Sequence, residues 1–238
     1  MSYFYLYLEV SFKNSEMYRK SINLFYIFFV LILAWSCQGQ INDSKSQKTS
    51  QRNQDIVGGP FENSEYMFID MPKNIKASDT SPGWNQPGQK LLITGTIYEL
   101  DGKTPVPNVI MYYYHTDING YYSISENNSS KASKHGYIRG WIKTDKNGKY
   151  SIYTVRPAVY PNSEEPVHIH PSIKEPNINN PYYIDAFVFD DDPLLTKTKR
   201  KNMRNRGGNG ILRLERQGDL QIADHDIILG LNIPNYPE

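Results

Sequence analysis

Two histidines one residue apart are the feature of this sequence that most directly suggests chemistry. They occur in His168-Ile169-His170, within the run from Val167 to Ile173, which is rich in β-branched residues and predicts a strand. Side chains alternate between the two faces of a strand, so both imidazoles are expected on one side and Ile169 on the other. This spacing lets a metal ion take two nitrogen ligands from one strand. Taken alone the pair is a weak signal, because His-x-His also recurs by chance on exposed strands.

Two tyrosines on other segments could supply further ligands for such a metal. Tyr160 lies in Val159-Tyr160-Pro161, and Tyr122 follows the turn signal Asn119-Gly120. The single cysteine, Cys37, lies far from these motifs in the sequence. The absence of a second thiol disfavours a structural zinc site or an iron–sulfur cluster. A hard trivalent ion such as ferric iron favours anionic oxygen donors, and a tyrosinate becomes one when the metal displaces the phenolic proton.

The segments that must position these residues are predicted to be short β-strands. Turn dipeptides such as Asp101-Gly102 and Asn147-Gly148 separate apolar, β-branched runs, and no stretch after residue 40 keeps a helical period for long. The predicted strands are Leu91 to Glu99, Val109 to His115, Ile138 to Thr144, Lys149 to Val155, Val167 to Ile173, Tyr182 to Phe189, Ile211 to Leu214 and Ile227 to Leu229. Together they predict one all-β domain over residues 81–235, a β-sandwich with long loops. Asn147-Gly148 also predicts a hairpin between the two runs that flank it.

In order and spacing, the motifs of this domain resemble those of the intradiol ring-cleavage dioxygenases, the family of catechol and protocatechuate dioxygenases. The resemblance covers essentially the whole predicted domain. It runs through Pro87-Gly88-Gln89, Asp101 to Asn108, His115 to Ser123, Arg139-Gly140, Tyr160-Pro161 and His168-Ile169-His170, and it ends at Asp226 to Leu229. Because both order and spacing match, this signal is more specific than any one of its parts.

The resemblance implies a mononuclear ferric centre, Fe(III), ligated by Tyr122, Tyr160, His168 and His170 on a prealbumin-like sandwich. It implies that an aromatic diol binds the iron and that dioxygen opens the ring between the two hydroxyl-bearing carbons. Tyr160 would then leave the metal and accept a substrate proton, so it is the expected catalytic residue. Nicotinamide and flavin cofactors are not required. Family members often assemble, so a homo-oligomer is compatible with the resemblance.

Four features depart from the family pattern, and two of them are Tyr114 in place of the usual tryptophan and a short linker from Tyr160 to His168. Ring-cleaving members usually carry an arginine three residues before the first paired histidine, where this chain has Glu165. Their usual glutamine on the strand after the histidines corresponds to Ala186. A carboxylate in place of a guanidinium reverses the local electrostatic contribution to binding an anionic substrate. A different diol, a cationic or larger phenolic substrate, or a loss of activity would each fit these changes.

A non-enzymatic alternative exists for the segment from Ile93 to Tyr150. It also resembles the prealbumin-like β-sandwich modules of carboxypeptidase accessory domains and surface adhesins, which share its Thr-Asp-x-x-Gly-x-Tyr pattern and have no catalytic role. The alternative is therefore a non-catalytic binding module of the cell envelope. Such a module has no reason to carry Tyr122, Tyr160, His168 and His170 together, and that set separates the two hypotheses.

The N-terminal residues 1–37 have the pattern of a bacterial export signal. Arg19 and Lys20 precede an apolar run that is shorter than the roughly 20 residues of a spanning helix, and Leu33-Ala34-Trp35-Ser36-Cys37 resembles a lipobox. We expect Met17 to be the true start and Cys37 to carry the lipid. A cleaved signal without lipid and an uncleaved anchor are the alternatives. All three place the remainder of the chain in the cell envelope, outside the cytoplasm.

Composition limits the partners of the exported part. Residues 38–80 are interpreted as a polar tether and an N-terminal extension. The chain carries 26 Lys and Arg against 25 Asp and Glu, a net charge of +1, which disfavours nucleic acid as a partner. Its hydrophobic content of 39% suffices for one core but not for several membrane spans, so membrane contact is expected through Cys37 only.

Overall fold

The structure, a computed structural model, describes residues 56–125 and 130–237 of the 238-residue chain. Its strands are β1 (Ser78–Thr80), β2 (Lys90–Tyr98), β3 (Ile110–Tyr114), β4 (Arg139–Lys143), β5 (Lys149–Val155), β6 (His168–Lys174), β7 (Tyr182–Tyr183), β8 (Phe187–Phe189), β9 (Ile211–Leu212), β10 (Glu215–Gln217), β11 (Leu220–Asp224) and β12 (Ile227–Ile228). Within the described residues the helices are short: 3₁₀ turns at Ser64–Phe68, Pro82–Asn85 and Ser130–His135, and α1 at Lys197–Lys201. The prediction of an all-β domain is confirmed.

The predicted signal peptide, residues 1–37 with Met17 and Cys37, lies outside the described residues, as does the tether up to residue 55. Within the part of the chain that the structure does describe, no helix has both the length and the apolar character needed to cross a membrane.

Two mixed sheets pack face to face. The first has the strand order β1-β5-β2-β11-β10, with β12 also pairing with β2, and the second has the order β4-β3-β6-β8-β9, with β7 beside β6. Parallel pairing joins β1 to β5, β11 and β12 to β2, and β9 to β8, and the other pairs are antiparallel. The hydrophobic core between the sheets includes Leu91 and Ile152 from the first and Met111, Ile169 and Phe187 from the second. This is the predicted β-sandwich.

The predicted hairpin at Asn147-Gly148 is wrong. β4 pairs with β3 over five residues and β5 pairs with β2 over seven, so the turn between them passes from one sheet to the other. Asp145 holds this turn, because its Oδ1 accepts from the backbone N–H groups of Asn147 (2.8 Å) and Lys149 (2.9 Å). Both strands keep apolar side chains in the common core, among them Ile142 of β4 and Ile152 of β5.

Candidate metal centre

β6 presents His168 and His170 on the outer face of the second sheet. Ile169, between them, is fully buried in the core between the sheets, as strand alternation requires. The register sets His170 opposite Tyr114 of β3, and Tyr114 belongs to a second, separate cluster of buried residues on that outer face. The strand thus uses one face for the core and the other for the two imidazoles. This placement agrees with the alternation argument made from the sequence.

The loop after β3 carries Tyr122 and is shaped by Asp117. The Asp117 Oδ1 atom accepts from the backbone N–H groups of Asn119 (2.8 Å) and Tyr121 (3.1 Å), and its Oδ2 accepts from Ser123 Oγ (2.5 Å). These bonds on both sides of Tyr122 fix the turn that follows Asp117. The side chain of Tyr122 is therefore held by a loop whose own backbone hydrogen bonds are satisfied locally.

The loop after β5 carries Tyr160 and lies directly against the Tyr122 loop. Gly120 has φ of 82°, and a Cβ atom at this position would lie 2.0 Å from the carbonyl oxygen of Val159. Only glycine permits both the positive φ and this approach. Thr116 Oγ1 also donates to the carbonyl of Ala158 (2.8 Å). The close packing of the two loops brings their tyrosines together.

The four residues singled out from the sequence converge on one place, and the phenol oxygen of Tyr160 lies at its centre. This oxygen is 2.5 Å from the phenol oxygen of Tyr122, 3.0 Å from His168 Nε2 and 3.4 Å from His170 Nε2. The two Nε2 atoms are 2.9 Å apart. No cluster of three or more His, Cys, Asp or Glu side chains occurs among residues 56–125 and 130–237 that could hold a metal, so a metal here would need the phenol oxygens.

The histidines are set up as neutral nitrogen donors. His168 Nδ1 lies 2.7 Å from the carbonyl oxygen of Pro166. A carbonyl only accepts, so Nδ1 carries the proton and Nε2 directs a lone pair into the site. For His170, burial followed by the charge of His168 lowers the pKa to about 3, so the imidazole is neutral at neutral pH.

Both phenols are held in the protonated form while no cation binds them. Burial, followed by the hydrogen bond to Tyr160, raises the pKa of Tyr122 far above its ordinary value. Burial also raises the pKa of Tyr160, although the hydrogen bond with Tyr122 acts in the opposite direction. The shared hydrogen bond therefore favours Tyr122 as the phenol that keeps its proton and Tyr160 as the one that loses it.

A stack of rings supports His170, and the sequence analysis did not find it. The Tyr114 ring lies between two imidazoles, with its centroid 3.7 Å from that of His135 at an interplanar angle of 3° and 4.6 Å from that of His170 at 15°. His135 Nδ1 is also 2.9 Å from the Tyr112 phenol oxygen. Tyr112 and Tyr114 could have been found by alternation, since both face away from the core residue Tyr113. Nothing in the sequence around His135 indicates its role.

The chain before β1 covers this ring cluster. Met67 is buried against Tyr112 and Tyr114, and its carbonyl accepts from Trp141 Nε1 (2.7 Å). Arg139, which is almost fully buried, forms an ion pair of 2.6 Å with Asp70. Part of the segment interpreted from sequence as an N-terminal extension thus packs on the strands that carry the candidate site.

Two of the departures from the expected pattern lie beside the centre. Glu165 is exposed on the loop before β6, and its charge adds to burial in raising the pKa of both Tyr122 and Tyr160. Ala186 directly precedes β8 and is half-buried, and its methyl group can form no hydrogen bond. The site therefore faces a carboxylate where the resemblance leads one to expect a cation.

Comparisons with known proteins match the part of the chain that builds this site. A model of the dioxygenase family matches residues 66–206. The catechol 1,2-dioxygenase of Acinetobacter baylyi is 32% identical over 89 residues, which are 37% of this chain and 28% of that protein. The aligned part thus spans less than a third of this curated relative.

Solved structures with the same fold include the catechol 1,2-dioxygenase of Acinetobacter radioresistens. It superposes with a TM-score of 0.50 at 17% sequence identity and covers 66% of this chain and 58% of its own. The dioxygenase domain of a carbohydrate-binding protein fusion from Streptomyces sp. SirexAA-E gives a TM-score of 0.48 at 19% identity, over 67% of this chain and 91% of that domain.

Proposed function

Since the chain belongs to the intradiol dioxygenase family, we propose that it is an oxidoreductase that opens a catechol-type ring at a bound ferric ion. The carbon–carbon bond between the two hydroxyl-bearing carbons breaks, and each of these carbons becomes a carboxyl carbon. Both atoms of dioxygen enter the product, so no further oxidant or reductant is needed. The observation that carries this proposal is the convergence of Tyr122, Tyr160, His168 and His170 within hydrogen-bond distances.

The chemistry of these donors fits a ferric ion. The two imidazoles offer neutral nitrogens, and the two phenols become anionic oxygens once they lose their protons, a combination that suits a hard trivalent cation. The Nε2 atoms of His168 and His170 lie 2.9 Å apart, and their lone pairs repel each other unless a proton or a cation lies between them. The negative charges of the two phenolates, Tyr122 and Tyr160, would offset most of the charge of the ferric ion in this partly buried site.

In the proposed reaction the chain contributes orientation and proton transfer. Bound iron would supply a Lewis acid that lowers the pKa of the catechol hydroxyls, so that the diol would bind as an electron-rich catecholate. Tyr160 is the proposed catalytic residue, because its oxygen contacts three polar atoms and can hold a proton released by the diol. Pro166 fixes the tautomer of His168 through the bond to Nδ1. Tyr114 keeps the ring plane of His170 in place.

The metal assignment is tested by the visible spectrum of protein loaded with ferric iron. A tyrosinate bound to iron gives a charge-transfer colour, which should change in both Tyr122→Phe and Tyr160→Phe. Tyr121→Phe is the matched control, because Tyr121 is adjacent to Tyr122 yet 57% exposed and takes no part in the contacts that join the four convergent residues. Iron loading should also release protons and strengthen as the pH rises, since both phenols must ionise. A colourless protein that binds no ferric iron would overturn the assignment.

The catalytic part is tested separately by dioxygen uptake. Iron-loaded protein should consume one dioxygen per catechol and yield a ring-opened dicarboxylic acid, with both oxygen atoms traced by isotopic labelling. Tyr160→Phe should lower kcat by at least about tenfold, in line with the loss of a positioned acid–base group. If iron-loaded protein takes up no dioxygen with any member of a panel of catechols, hydroquinones and related phenols, the non-catalytic envelope module replaces the enzyme.

We further propose that the protein acts outside the cytoplasm, tethered by lipid at Cys37. The proposal rests on the lipobox-like sequence before Cys37. The substitution Cys37→Ser should move the protein from the membrane fraction to the soluble fraction. Unchanged partitioning of this variant would argue against the anchor.

A further inference from the structure

A groove beside the candidate metal centre has a lining that differs from the centre itself. Its volume is about 490 Å³, and apolar side chains form much of its wall, namely those of Pro166, Val188, Leu195 and Met203. Glu165 lies in the same lining. A groove of this size can take a side chain of a small molecule, with apolar surface for its carbon atoms and a carboxylate near one end.

The groove lies on the same face of the second sheet as the histidines. Val188 of β8 is paired directly with His168 of β6 in the antiparallel register, and directly paired residues project to the same face. The neighbours of Val188 on β8, Phe187 and Phe189, belong to the core on the opposite face. Pro166 completes the link, because it lines the groove while its carbonyl accepts from His168 Nδ1. A ring held at the centre could therefore extend a substituent into the groove.

Glu164 and Glu165 both line this groove, and Glu165 is the one adjacent to Pro166, whose carbonyl accepts from His168 Nδ1. Within the described chain the Glu165 carboxylate takes part in no hydrogen bond or ion pair, and only the Glu165 backbone N–H is engaged, donating to Ser163 Oγ at 3.0 Å. The basic side chain in the lining, that of Lys199, donates a hydrogen bond to the backbone carbonyl of Glu164.

We propose that the preferred substrate is an aromatic diol whose ring bears a short aliphatic side chain ending in a cation, and that Glu165 selects it. The carbon atoms of the side chain would pack on Val188, Leu195 and Met203, and a terminal ammonium would pair with the Glu165 carboxylate. Glu165 is in this view a specificity-determining residue. The inference rests on the proposed function, since it assumes that the diol binds at the tyrosine–histidine centre.

Three catechols that differ only at the end of the side chain test the inference. They are 4-(2-aminoethyl)catechol, neutral 4-propylcatechol and anionic 3-(3,4-dihydroxyphenyl)propionate, and their affinities for iron-loaded protein are measured by calorimetry under nitrogen. An exposed ion pair contributes a modest free energy, so the amine should bind about two- to fivefold more tightly than the propyl compound. The preference should shrink in about 1 M salt, because the charges are screened.

Two variants at Glu165 and one control make the result decisive. Glu165→Gln should bring the amine and propyl affinities together, and Glu165→Lys should shift the preference to the anionic probe. Glu215→Gln is the control, because Glu215 is exposed on β10 and its replacement changes the net charge by the same amount away from the groove. Equal affinities of wild-type protein for the amine and propyl probes, or a preference that Glu165→Gln retains, would overturn the inference.

Ring opening of the same probes separates this inference from the proposed function. A charge preference that depends on Glu165 in the binding experiment, with no ring opening of any probe, would refute the catalytic proposal and support the groove assignment. Ring opening at equal kcat/KM for all three probes in wild-type protein would support the enzyme and overturn the role of Glu165.

Discussion

Replacement of Tyr114 by leucine tests whether the stack on His170 strengthens iron binding beyond its contribution to the free energy of unfolding. Tyr114 forms close stacks with two rings, those of His135 and His170. An aromatic pair contributes about 0.5–1.5 kcal/mol beyond the area it buries, so loss of both stacks should lower the free energy of unfolding by about 1–3 kcal/mol. His170 would then lose the ring that limits its rotation. Changes to groups that orient a metal ligand weaken metal binding by about 10- to 100-fold, and we expect at least about tenfold here.

The control is the same replacement at Tyr112. Tyr112 lies two residues earlier on the same face of β3, is as deeply buried and belongs to the same cluster, but it forms no ring contact with His170. Tyr112→Leu should therefore cost at least as much free energy of unfolding, because Tyr112 contacts three rings and its phenol oxygen lies 2.9 Å from His135 Nδ1, and it should leave iron affinity within about threefold of wild type. Unfolding of iron-free protein is followed in urea, and iron affinity is measured by competition with a chelator.

Either of two outcomes would refute the role of the Tyr114 stack in holding His170. Equal losses of iron affinity in Tyr114→Leu and Tyr112→Leu would show that the cluster acts only through general stability. An unchanged iron affinity in Tyr114→Leu, with a clear loss of unfolding free energy, would show that His170 is held in place without the stack.

Three further substitutions test individual contacts. Tyr113→Phe removes the phenol that donates to Asp79 Oδ2 at 2.6 Å, a bond that lowers the pKa of Asp79 against the effect of burial. The free energy of unfolding, measured in urea, should fall by about 1.5–3 kcal/mol, and by more at pH 7 than at pH 4 because the bond favours the ionised carboxylate. A loss that does not depend on pH would contradict this. Gly120→Ala should destabilise the fold by at least about 1 kcal/mol and alter the iron spectrum, because its Cβ would collide with Val159; an unaltered spectrum would show that the tyrosine loops do not need this approach. Burial raises the pKa of Glu175, so the neutral carboxyl is favoured in the folded protein. The free energy of unfolding of wild-type protein should therefore fall relative to that of Glu175→Gln as the pH rises through that pKa. A relative stability that increases with pH would refute the raised pKa of Glu175.

The strands that could be predicted from the sequence are those whose own residues carry the signal. The run from Leu91 to Glu99 is long and β-branched, and it forms β2 at the centre of the first sheet. β11 lies beside β2 in the same sheet, yet the sequence analysis missed it. It has five residues, and Gln221 interrupts its apolar character. Its strand conformation depends on parallel pairing with β2, a partner about 130 residues earlier, which no local pattern reveals.

The same limit applies to the candidate site. Motif order pointed to Tyr122, Tyr160, His168 and His170, and strand alternation alone places both imidazoles on one face. The support of these residues comes from chain segments that are distant in sequence. His135 belongs to a 3₁₀ turn and stacks on Tyr114 of β3, and the pairing of β3 with β6 brings His170 to the same Tyr114. Such contacts are set by tertiary packing, for which the sequence around His135 carries no periodic signal.

β3 and β6 place alternate residues in the core and at the candidate site, and the loops that adjoin the site are free of this constraint. On these strands, side chains such as Tyr113 and Ile169 fill the core, and the alternating positions Tyr114 and His170 form the site. A shift of register by one residue would exchange the two faces, so the strands must keep their sequence to hold both core and centre. Glu165 lies outside this constraint, on an exposed loop next to the groove. We therefore expect a change of charge at Glu165 to alter the proposed substrate preference while the four candidate ligand residues and the core stay fixed.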